Sequence, residues 1–524
     1  MNIFSFSPFG YEGAMVTVEV DLRRGIPSVD IVGLADNAVK ESRERMRAAI
    51  RKSGFDFPQD RVLVSLSPAD VKKEGAGFDL AIAIAVLAAK HNFQGGEDCL
   101  IMGELDLSGN VRPVRGVNAA ISTAQEQGIK WCIVPAGNER EALNSGLGVC
   151  AVDTLEKAFD FVSESVRGEI PYSNADIANF SLKETEEVVF APLDKSIDFS
   201  SVKKQGRLIR GLQIAAAGGH NLIVYGPPGC GKTLSIQRIT SILPCLTLEE
   251  SRIVTRIYSL AGLIPAGCAP ITSRPFRSPH QSATLEGMTG GGYQCRPGEI
   301  SLAHNGVLFL DEAAEFRTNV LQSLRIPMEL GSVTLSRAGR HTTFPARFQL
   351  LMASNPCPCG NFGSKDKVCI CSPRSVEQYW KKLTGPLLDR IDIRVPLFGF
   401  NSEEIQTDND EIFDDKFAYY DNISSAKLRP SIALAVHMQR RRQGKCNAVL
   451  TPEEISEKIV LTEDASELFQ ECVSDSNFSG RAEHSILKLS RTISDLEGSE
   501  TIKLEHILEA VEFRKNEGGL DICF

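Results

Sequence analysis

The sequence predicts an α/β protein in three parts: an α+β unit, a phosphate-loop α/β core and a helical C-terminal region. Three observations carry this prediction. Alternating strand-like runs and amphipathic helical stretches interleave over residues 1–165. The apolar run Asn221-Leu222-Ile223-Val224-Tyr225 enters Gly226-Pro227-Pro228-Gly229-Cys230-Gly231-Lys232-Thr233, and a second run, Val307-Leu308-Phe309-Leu310, ends in Asp311-Glu312. From residue 431 onward the pattern turns helical.

Size and composition bound the rest. A chain of 524 residues is expected to hold about three domains. With 42% hydrophobic and 24% charged residues it reads as an ordinary globular protein. No apolar run approaches the ~20 residues of a membrane span, so no membrane partner is expected. Met1-Asn2-Ile3-Phe4-Ser5 lacks a basic region followed by an apolar core, and a cytoplasmic protein is expected. Fourteen cysteines then point to reduced thiols or a metal site rather than to a disulfide framework. The net charge of −10 argues against a surface that is basic overall. It leaves room for a groove or ring that concentrates Lys and Arg locally.

Within residues 1–165, Val16-Thr17-Val18-Glu19-Val20-Asp21-Leu22 alternates as a half-buried strand and Ser28-Val29-Asp30-Ile31-Val32 reads as a second. Residues 36–52 form an amphipathic helix ended by Gly54, and Arg61-Val62-Leu63-Val64-Ser65-Leu66 a further strand. Residues 78–90 read as a buried Ala-rich helix, and residues 118–127 as a helix before the strand ending Ile133-Val134-Pro135. Residues 166–200 are polar, acidic and weakly patterned, a linker with room for one strand at Val188-Val189-Phe190.

The core, residues 201–398, opens with a short helix over residues 206–218. The pattern G-x-x-x-x-G-K-[ST] then stands where a strand meets a helix, the context it needs. Its glycines permit a tight loop of backbone N–H groups, and the following helix N-terminus favours negative charge. Lys232 would reach the outer phosphates of a nucleoside triphosphate and Thr233 would hold Mg²⁺. At the end of the second buried strand Asp311 would coordinate Mg²⁺ and Glu312 would polarise the attacking water. A strand ending in a solvated acidic turn would look the same by itself; its place behind a phosphate loop favours the catalytic reading. Arg347-Phe348-Gln349-Leu350-Leu351-Met352-Ala353-Ser354 is a third strand, ending at Asn355. Val333-Thr334-Leu335-Ser336-Arg337-Ala338-Gly339-Arg340-His341-Thr342-Thr343-Phe344 reads as a β-hairpin. Arg337, Arg340 and His341 near its tip would contact nucleic-acid phosphates, or else protect a solvated edge.

Several stretches resemble the YifB/ComM family of magnesium-chelatase-like AAA+ ATPases. They include Ser67-Pro68-Ala69-Asp70-Val71-Lys72-Lys73-Glu74-Gly75-Ala76-Gly77-Phe78-Asp79-Leu80, Gly103-Glu104-Leu105 and Val111-Arg112-Pro113-Val114-Arg115-Gly116-Val117. They continue with Arg274-Pro275-Phe276-Arg277-Ser278-Pro279-His280 and Arg296-Pro297-Gly298-Glu299-Ile300-Ser301-Leu302-Ala303-His304. The resemblance covers nearly the whole chain. It implies that residues 1–165 form a Lon-protease-like domain. Lon-type proteases carry a Ser nucleophile and a Lys base in these regions; here Ala76 and Gly77 stand at the first, and Asn118 with no lysine near the second. Without an activated nucleophile peptide hydrolysis has no chemistry to run on, so a binding or assembly module is expected.

By the same resemblance Asn355 is the first sensor, which positions water against the γ-phosphate. Arg390, in Leu387-Leu388-Asp389-Arg390-Ile391-Asp392, is the arginine finger supplied to a neighbouring subunit; a local salt bridge to Asp389 or Asp392 is the alternative. The glycine-rich residues 287–292 match an insertion projected into the ring's central channel, and the hairpin matches the clade's pre-sensor hairpin. Arg481 matches the second sensor, although Ser485 stands where the family usually has another basic or polar residue.

Asn355-Pro356-Cys357-Pro358-Cys359-Gly360 is followed by Cys369-Ile370-Cys371. Two C-x-C pairs around a polar loop would place four thiolates about a tetrahedral Zn²⁺. The spacing is not the common C-x₂-C, and free thiols or a redox pair are the alternatives. Residues 399–524 form a helical lid. Its opening, residues 401–422, is acidic and irregular, and Thr451-Pro452-Glu453-Glu454 is a helix start. Arg440-Arg441-Arg442 lies at an exposed helix end or touches nucleic acid.

The expected whole is a homohexameric AAA+ ring that hydrolyses ATP with magnesium, zinc being an additional candidate ion. The resemblance implies a helicase on single-stranded or branched DNA that drives branch migration in homologous recombination during natural transformation, with recombination proteins as partners. Two other classes stay open: a chelatase-type ATPase driving metal insertion with partner subunits, and a non-catalytic ATP-gated scaffold.

Overall fold

Two sheets organise the computed structural model, which describes residues 2–69, 71, 73, 75–93, 96–142, 147–169, 188–264, 270–292, 295–337, 340–362, 367–383, 385–397, 415–476 and 479–514. The first has seven strands in the order Val29–Val32, Arg61–Ser67, Ala14–Arg23, Ile3–Ser7, Cys99–Ile101, Trp131–Pro135 and Gly148–Val152. Ala14–Arg23 runs antiparallel to both its neighbours, and the other pairs are parallel. Helix Asn37–Lys52 starts where the Asp36 carboxylate accepts from the Val39 N–H at 2.8 Å. Helix Asp79–Lys90 is buried continuously from Asp79 to Leu87, which is why its sequence is apolar on every side.

The second sheet has five parallel strands in the order Phe276–Arg277, Val307–Leu310, Gln349–Ser354, Leu222–Tyr225 and Ile393–Pro396. Every residue of Leu222–Tyr225, Val307–Leu310 and Gln349–Ser354 is buried, as continuous apolar runs in a parallel sheet require. Their register sets Tyr225 beside Ser354 and Leu310 beside Met352. The residues that follow, Gly226, Asp311 and Asn355, therefore leave the sheet along one edge, at the carboxyl ends where α/β sheets bind ligands. The hairpin Ser332–Arg337 and Arg340–Pro345 stands outside both sheets. Residues 338 and 339, in its turn, lie outside the described residues.

The C-terminal helices are Ser425–Gln443, Pro452–Lys458, Glu463–Ser476, Gly480–Leu496 and Leu504–Arg514. They share one apolar core with helix Gly206–Gly218 and strand Leu222–Tyr225. The first begins before residue 431, where the pattern places its start, and holds Pro430 inside it. Proline removes one helical hydrogen bond, and anchoring of the first turn offsets that loss. Ser425 Oγ accepts from the Phe199 N–H at 3.1 Å and lies 2.8 Å from Ser241 Oγ, while Leu428 is buried. Arg442 binds Asp495 at 2.8 Å inside the lid, so Arg440-Arg441-Arg442 is not a uniform exposed patch.

Two further expectations change. Residues 188–190 form no strand; Phe190 makes a single bridge to Pro244, and residues 170–187 of the expected linker lie outside the described residues. Within the stretch read as irregular, Asp415–Tyr420 is a 3₁₀ helix. It packs so tightly that a Cβ on Gly206 would meet the Phe417 carbonyl oxygen at 2.1 Å. Residues 401–414 lie outside the described residues. No helix among the described residues is long and apolar enough to cross a membrane.

The first sheet's unit docks on helix Leu248–Ala261 of the core. Arg256 lies 4.5 Å from the Tyr11 ring centre and donates to the Tyr11 carbonyl at 3.2 Å, and the Gly116 N–H donates to Ser259 Oγ at 3.2 Å. Tyr11 also reaches the hairpin: its N–H donates to Thr342 Oγ1 at 2.8 Å, and its ring meets Phe344 edge-on at 5.8 Å.

Candidate nucleotide-hydrolysis site

The loop after Tyr225 turns on two glycines in left-handed conformation, Gly229 (φ 86°) and Gly231 (φ 79°). A Cβ at Gly229 would meet nothing within 4 Å, so the requirement there is conformational. Lys232 opens the helix Lys232–Gln237 and is 8% exposed. Its ammonium donates to the Gly226 carbonyl at 2.6 Å, the Pro227 carbonyl at 2.8 Å and Asn355 Oδ1 at 3.2 Å. Burial lowers its pKa, while Cys230, Asp311 and Glu312 act in the opposite direction.

Thr233 Oγ1 donates to Asp311 Oδ2 at 2.8 Å. One hydroxyl and one carboxylate brought together from two elements form the hard oxygen set that suits Mg²⁺. Glu312 follows with φ 50°, a left-handed residue that is neither Gly nor Asn, and its N–H donates to Asp311 Oδ1 at 3.0 Å. Such a conformation is uncommon outside glycine and is typical of constrained functional positions. It leaves Asp311 partly buried and Glu312 exposed. Sequence reading missed Gln205. Its amide oxygen accepts from Ser235 Oγ at 2.8 Å and its amide nitrogen donates to the Cys230 carbonyl, tying the loop to the helix behind it. No motif marks a glutamine that lies so far upstream.

Arg390 and Arg481 do not join this cluster. Both guanidinium groups hold one carboxylate, Glu329: Arg390 forms a short ion pair with it, and Arg481 Nη2 stands 2.9 Å from Glu329 Oε1. The carboxylate seen to pair with Arg390 is thus Glu329. Arg481 first, and Arg390 after it, hold the Glu329 carboxyl below its ordinary range. Asp392 is bonded elsewhere, to His220 Nδ1 at 3.1 Å and to the Ser485 hydroxyl. Glu329 lies in helix Arg325–Leu330, just before the hairpin. Along the hairpin Arg337 pairs with Arg340 and Ser336 with His341, which is exposed. In residues 287–292, helix Leu285–Thr289 runs into Gly290–Gly291, which pairs with Arg296–Pro297.

The structure brings the four cysteines together. Cys357 Sγ lies 3.4 Å from Cys359 Sγ and 3.6 Å from Cys369 Sγ, and the four sulfurs, with that of Cys371, all lie within 4.8 Å of one another. None forms a disulfide.

Three family models match the chain. Magnesium chelatase subunit ChlI covers residues 198–405, subunit ChlI of Mg-chelatase covers residues 18–138, and the magnesium chelatase subunit ChlI C-terminal model covers residues 422–514. The competence protein ComM of Haemophilus influenzae is 36% identical over 519 residues, 98% of this chain and 97% of that protein. The uncharacterized protein YifB of Escherichia coli is 37% identical over 512 residues, 96% of this chain and 95% of that protein. An archaeal Lon protease of Methanocaldococcus jannaschii is 27% identical over 132 residues, 25% of this chain and 20% of that protein. An AAA+ core of this kind implies ATP and Mg²⁺, and the family supports ATPase activity. Near-full-length likeness to ComM and YifB, with all three chelatase models in order along the chain, shows that this protein belongs to the YifB/ComM family of magnesium-chelatase-like AAA+ ATPases.

Proposed function

We propose that the chain assembles as a homohexameric ring that couples ATP hydrolysis to movement on single-stranded or branched DNA. Its task in this reading is helicase-driven branch migration in homologous recombination during natural transformation, alongside recombination proteins. The observation that carries the hydrolytic part is the contact set joining Lys232 to Asn355 and Thr233 to Asp311 across three strand ends. The DNA part rests on likeness to a protein named for competence over nearly its whole length.

Each residue then has a task. The loop from Gly226 to Thr233 wraps the phosphates with backbone N–H groups, and Lys232 exchanges its carbonyl partners for the outer phosphate oxygens. Thr233 and Asp311 hold Mg²⁺, which neutralises phosphate charge when bound. Glu312, at the open end of the strand, orients and polarises the attacking water, and Asn355 fixes that water against the γ-phosphate. Arg390 reaches the nucleotide of an adjacent subunit and stabilises charge in the transition state, and Arg481 contacts the nucleotide from the lid. Arg337, Arg340 and His341 contact DNA phosphates, supplying affinity without sequence preference. Residues 1–165 bind or assemble rather than cleave, residues 166–200 link them to the core at 201–398, and residues 399–524 act as the lid. Zn²⁺ on Cys357, Cys359, Cys369 and Cys371 belongs to the same reading.

ATP turnover measured with and without forked or three-stranded DNA tests the proposal. The expected result is stimulation with strand displacement, both lost in Lys232→Ala and Glu312→Gln, and weaker DNA binding with a shallower salt dependence in Arg337→Ala/Arg340→Ala. Turnover indifferent to DNA would defeat the motor. Stimulation by a porphyrin and partner subunits instead would favour the chelatase class, and nucleotide binding without turnover the scaffold.

A further inference from the structure

The cysteine loop touches the phosphate loop before, at and after its apex. Before it, Trp380 donates its indole N–H to the Pro356 carbonyl at 3.0 Å and meets Tyr225, the last residue of the phosphate-loop strand, edge-on at 5.8 Å. At the apex, Gly360 sits in left-handed conformation with φ +77°, and a Cβ there would stand 2.9 Å from Pro228 Cδ. After it, Asn355, two residues ahead of Cys357, accepts from Lys232 at 3.2 Å. The far arm of the loop, Cys369 and Cys371, leads through the cap residue Ser372 into helix Pro373–Lys381, which carries Trp380.

We propose that a zinc ion on the four cysteines braces this loop, so that metal occupancy sets how tightly the phosphate loop holds nucleotide. The proposal rests on reading the loop at 226–233 as the nucleotide site. Four thiolates about 2.3 Å from a tetrahedral Zn²⁺ lie roughly 3.8 Å apart. The separations of 3.4 and 3.6 Å among Cys357, Cys359 and Cys369 need an adjustment of a few tenths of an ångström, and Cys371 Sγ, within 4.8 Å of the other three, closes the set. They are far beyond the ~2.05 Å of a disulfide. An all-sulfur set selects a soft or borderline ion such as zinc over magnesium or calcium. On binding, each thiol releases its proton to solvent and the ion joins both arms. One arm carries Asn355 and Gly360 and the other carries Trp380, so the ion fixes all three contacts to the phosphate loop at once. Cys357 is fully buried and lies in the core shared by Tyr225, Trp380 and Met352, so motion of this ligand is transmitted rather than absorbed.

The test uses the full-length protein purified under reducing conditions, with zinc measured by elemental analysis and nucleotide affinity by titration with a fluorescent ATP analogue in excess Mg²⁺. Wild type is expected to hold close to one zinc per chain. Cys359→Ser/Cys369→Ser is expected to lose the metal and to weaken nucleotide binding by about tenfold, the equivalent of roughly one lost charge-assisted hydrogen bond at the loop. Gly360→Val, which keeps all four thiols, is expected to retain zinc and still weaken nucleotide binding, because its side chain meets Pro228. That second variant keeps the test decisive where the cysteine variant fails to fold. Zinc-free wild type overturns the metal site. A folded, metal-free cysteine variant with wild-type affinity overturns the brace while leaving the zinc, and so does unchanged affinity in Gly360→Val where the cysteine variant fails to fold. Zinc-loaded wild type with no nucleotide affinity overturns the nucleotide reading, and the brace with it.

Discussion

The residues gathered at the phosphate loop and the two arginines gathered at Glu329 are built in opposite ways. Lys232, Thr233, Asp311 and Asn355 bond to one another across three strand ends of a buried parallel sheet. Arg390 and Arg481 come from a turn before an outer strand and from the lid, and they meet on a partly exposed carboxylate. The first group holds the phosphate and magnesium ligands of the proposed mechanism; the second holds the cations that would stabilise transition-state charge. In the proposed mechanism one chain would complete one half of a hydrolytic site and lend the other half, its arginines, to a neighbour. The proposed division of the site between neighbouring subunits would account for that difference.

The largest expected effect breaks the comparison from the arginine side. Arg390→Ala should lower ATP turnover by about 10³-fold, read as phosphate release, with nucleotide binding retained, because a finger of this kind acts on the transition state. Retained turnover would make Arg390 a local salt bridge to Glu329 and no more.

The next effect sharpens the phosphate-loop side alone. His304 Nδ1 accepts from the Arg347 N–H at 3.0 Å, just before the strand that ends at Asn355. Burial first, with Arg347 and Arg274 after it, pushes its pKa down to about 4. The unfolded chain, with a His pKa near 6.5, takes up this proton first as pH falls. The contribution is therefore fully present above about pH 6.5 and is lost between there and about pH 4, on the order of 3 kcal/mol in all. Urea midpoints near pH 7.5 and near pH 5 should differ by less in His304→Gln than in wild type. Equal differences in the two proteins would remove His304 as a cause of the acid sensitivity.

Glu329→Gln should have the smallest effect. A half-exposed ion pair is worth up to about 1 kcal/mol, so releasing the two arginines from a competing anion should lower KM for ATP a few-fold. A fall in turnover with KM unchanged would instead make Glu329 an orienting residue for the arginines.

What the sequence made legible follows the same division. The phosphate loop and acidic strand are contiguous motifs whose chemistry is local, so Lys232, Thr233, Asp311 and Glu312 could be read by spacing alone. Contacts between distant segments could not. The Glu329 carboxylate that holds Arg390 has no motif, and Gln205 behind the loop has none either. The helical pattern is legible only from residue 431, whereas tertiary anchoring at Ser425 starts the helix earlier and carries it through Pro430. The apolar triplet at Val188 suggested a strand, but the pairing stops at a single bridge, Phe190 with Pro244, closed by the Cys245 N–H donating to the Val189 carbonyl at 2.7 Å. The two C-x-C pairs pointed to a cluster, but the pressing of Gly360 on Pro228 was visible only in three dimensions.

Mixing the two inactive proteins tests the divided site most directly. Lys232→Ala keeps Arg390, and Arg390→Ala keeps the phosphate loop. An equal mixture should recover roughly a quarter of wild-type turnover, since random assembly pairs an intact loop with an intact arginine at about one boundary in four of a closed ring. A mixture as inactive as its parts, in rings shown to exchange subunits, would contradict the account.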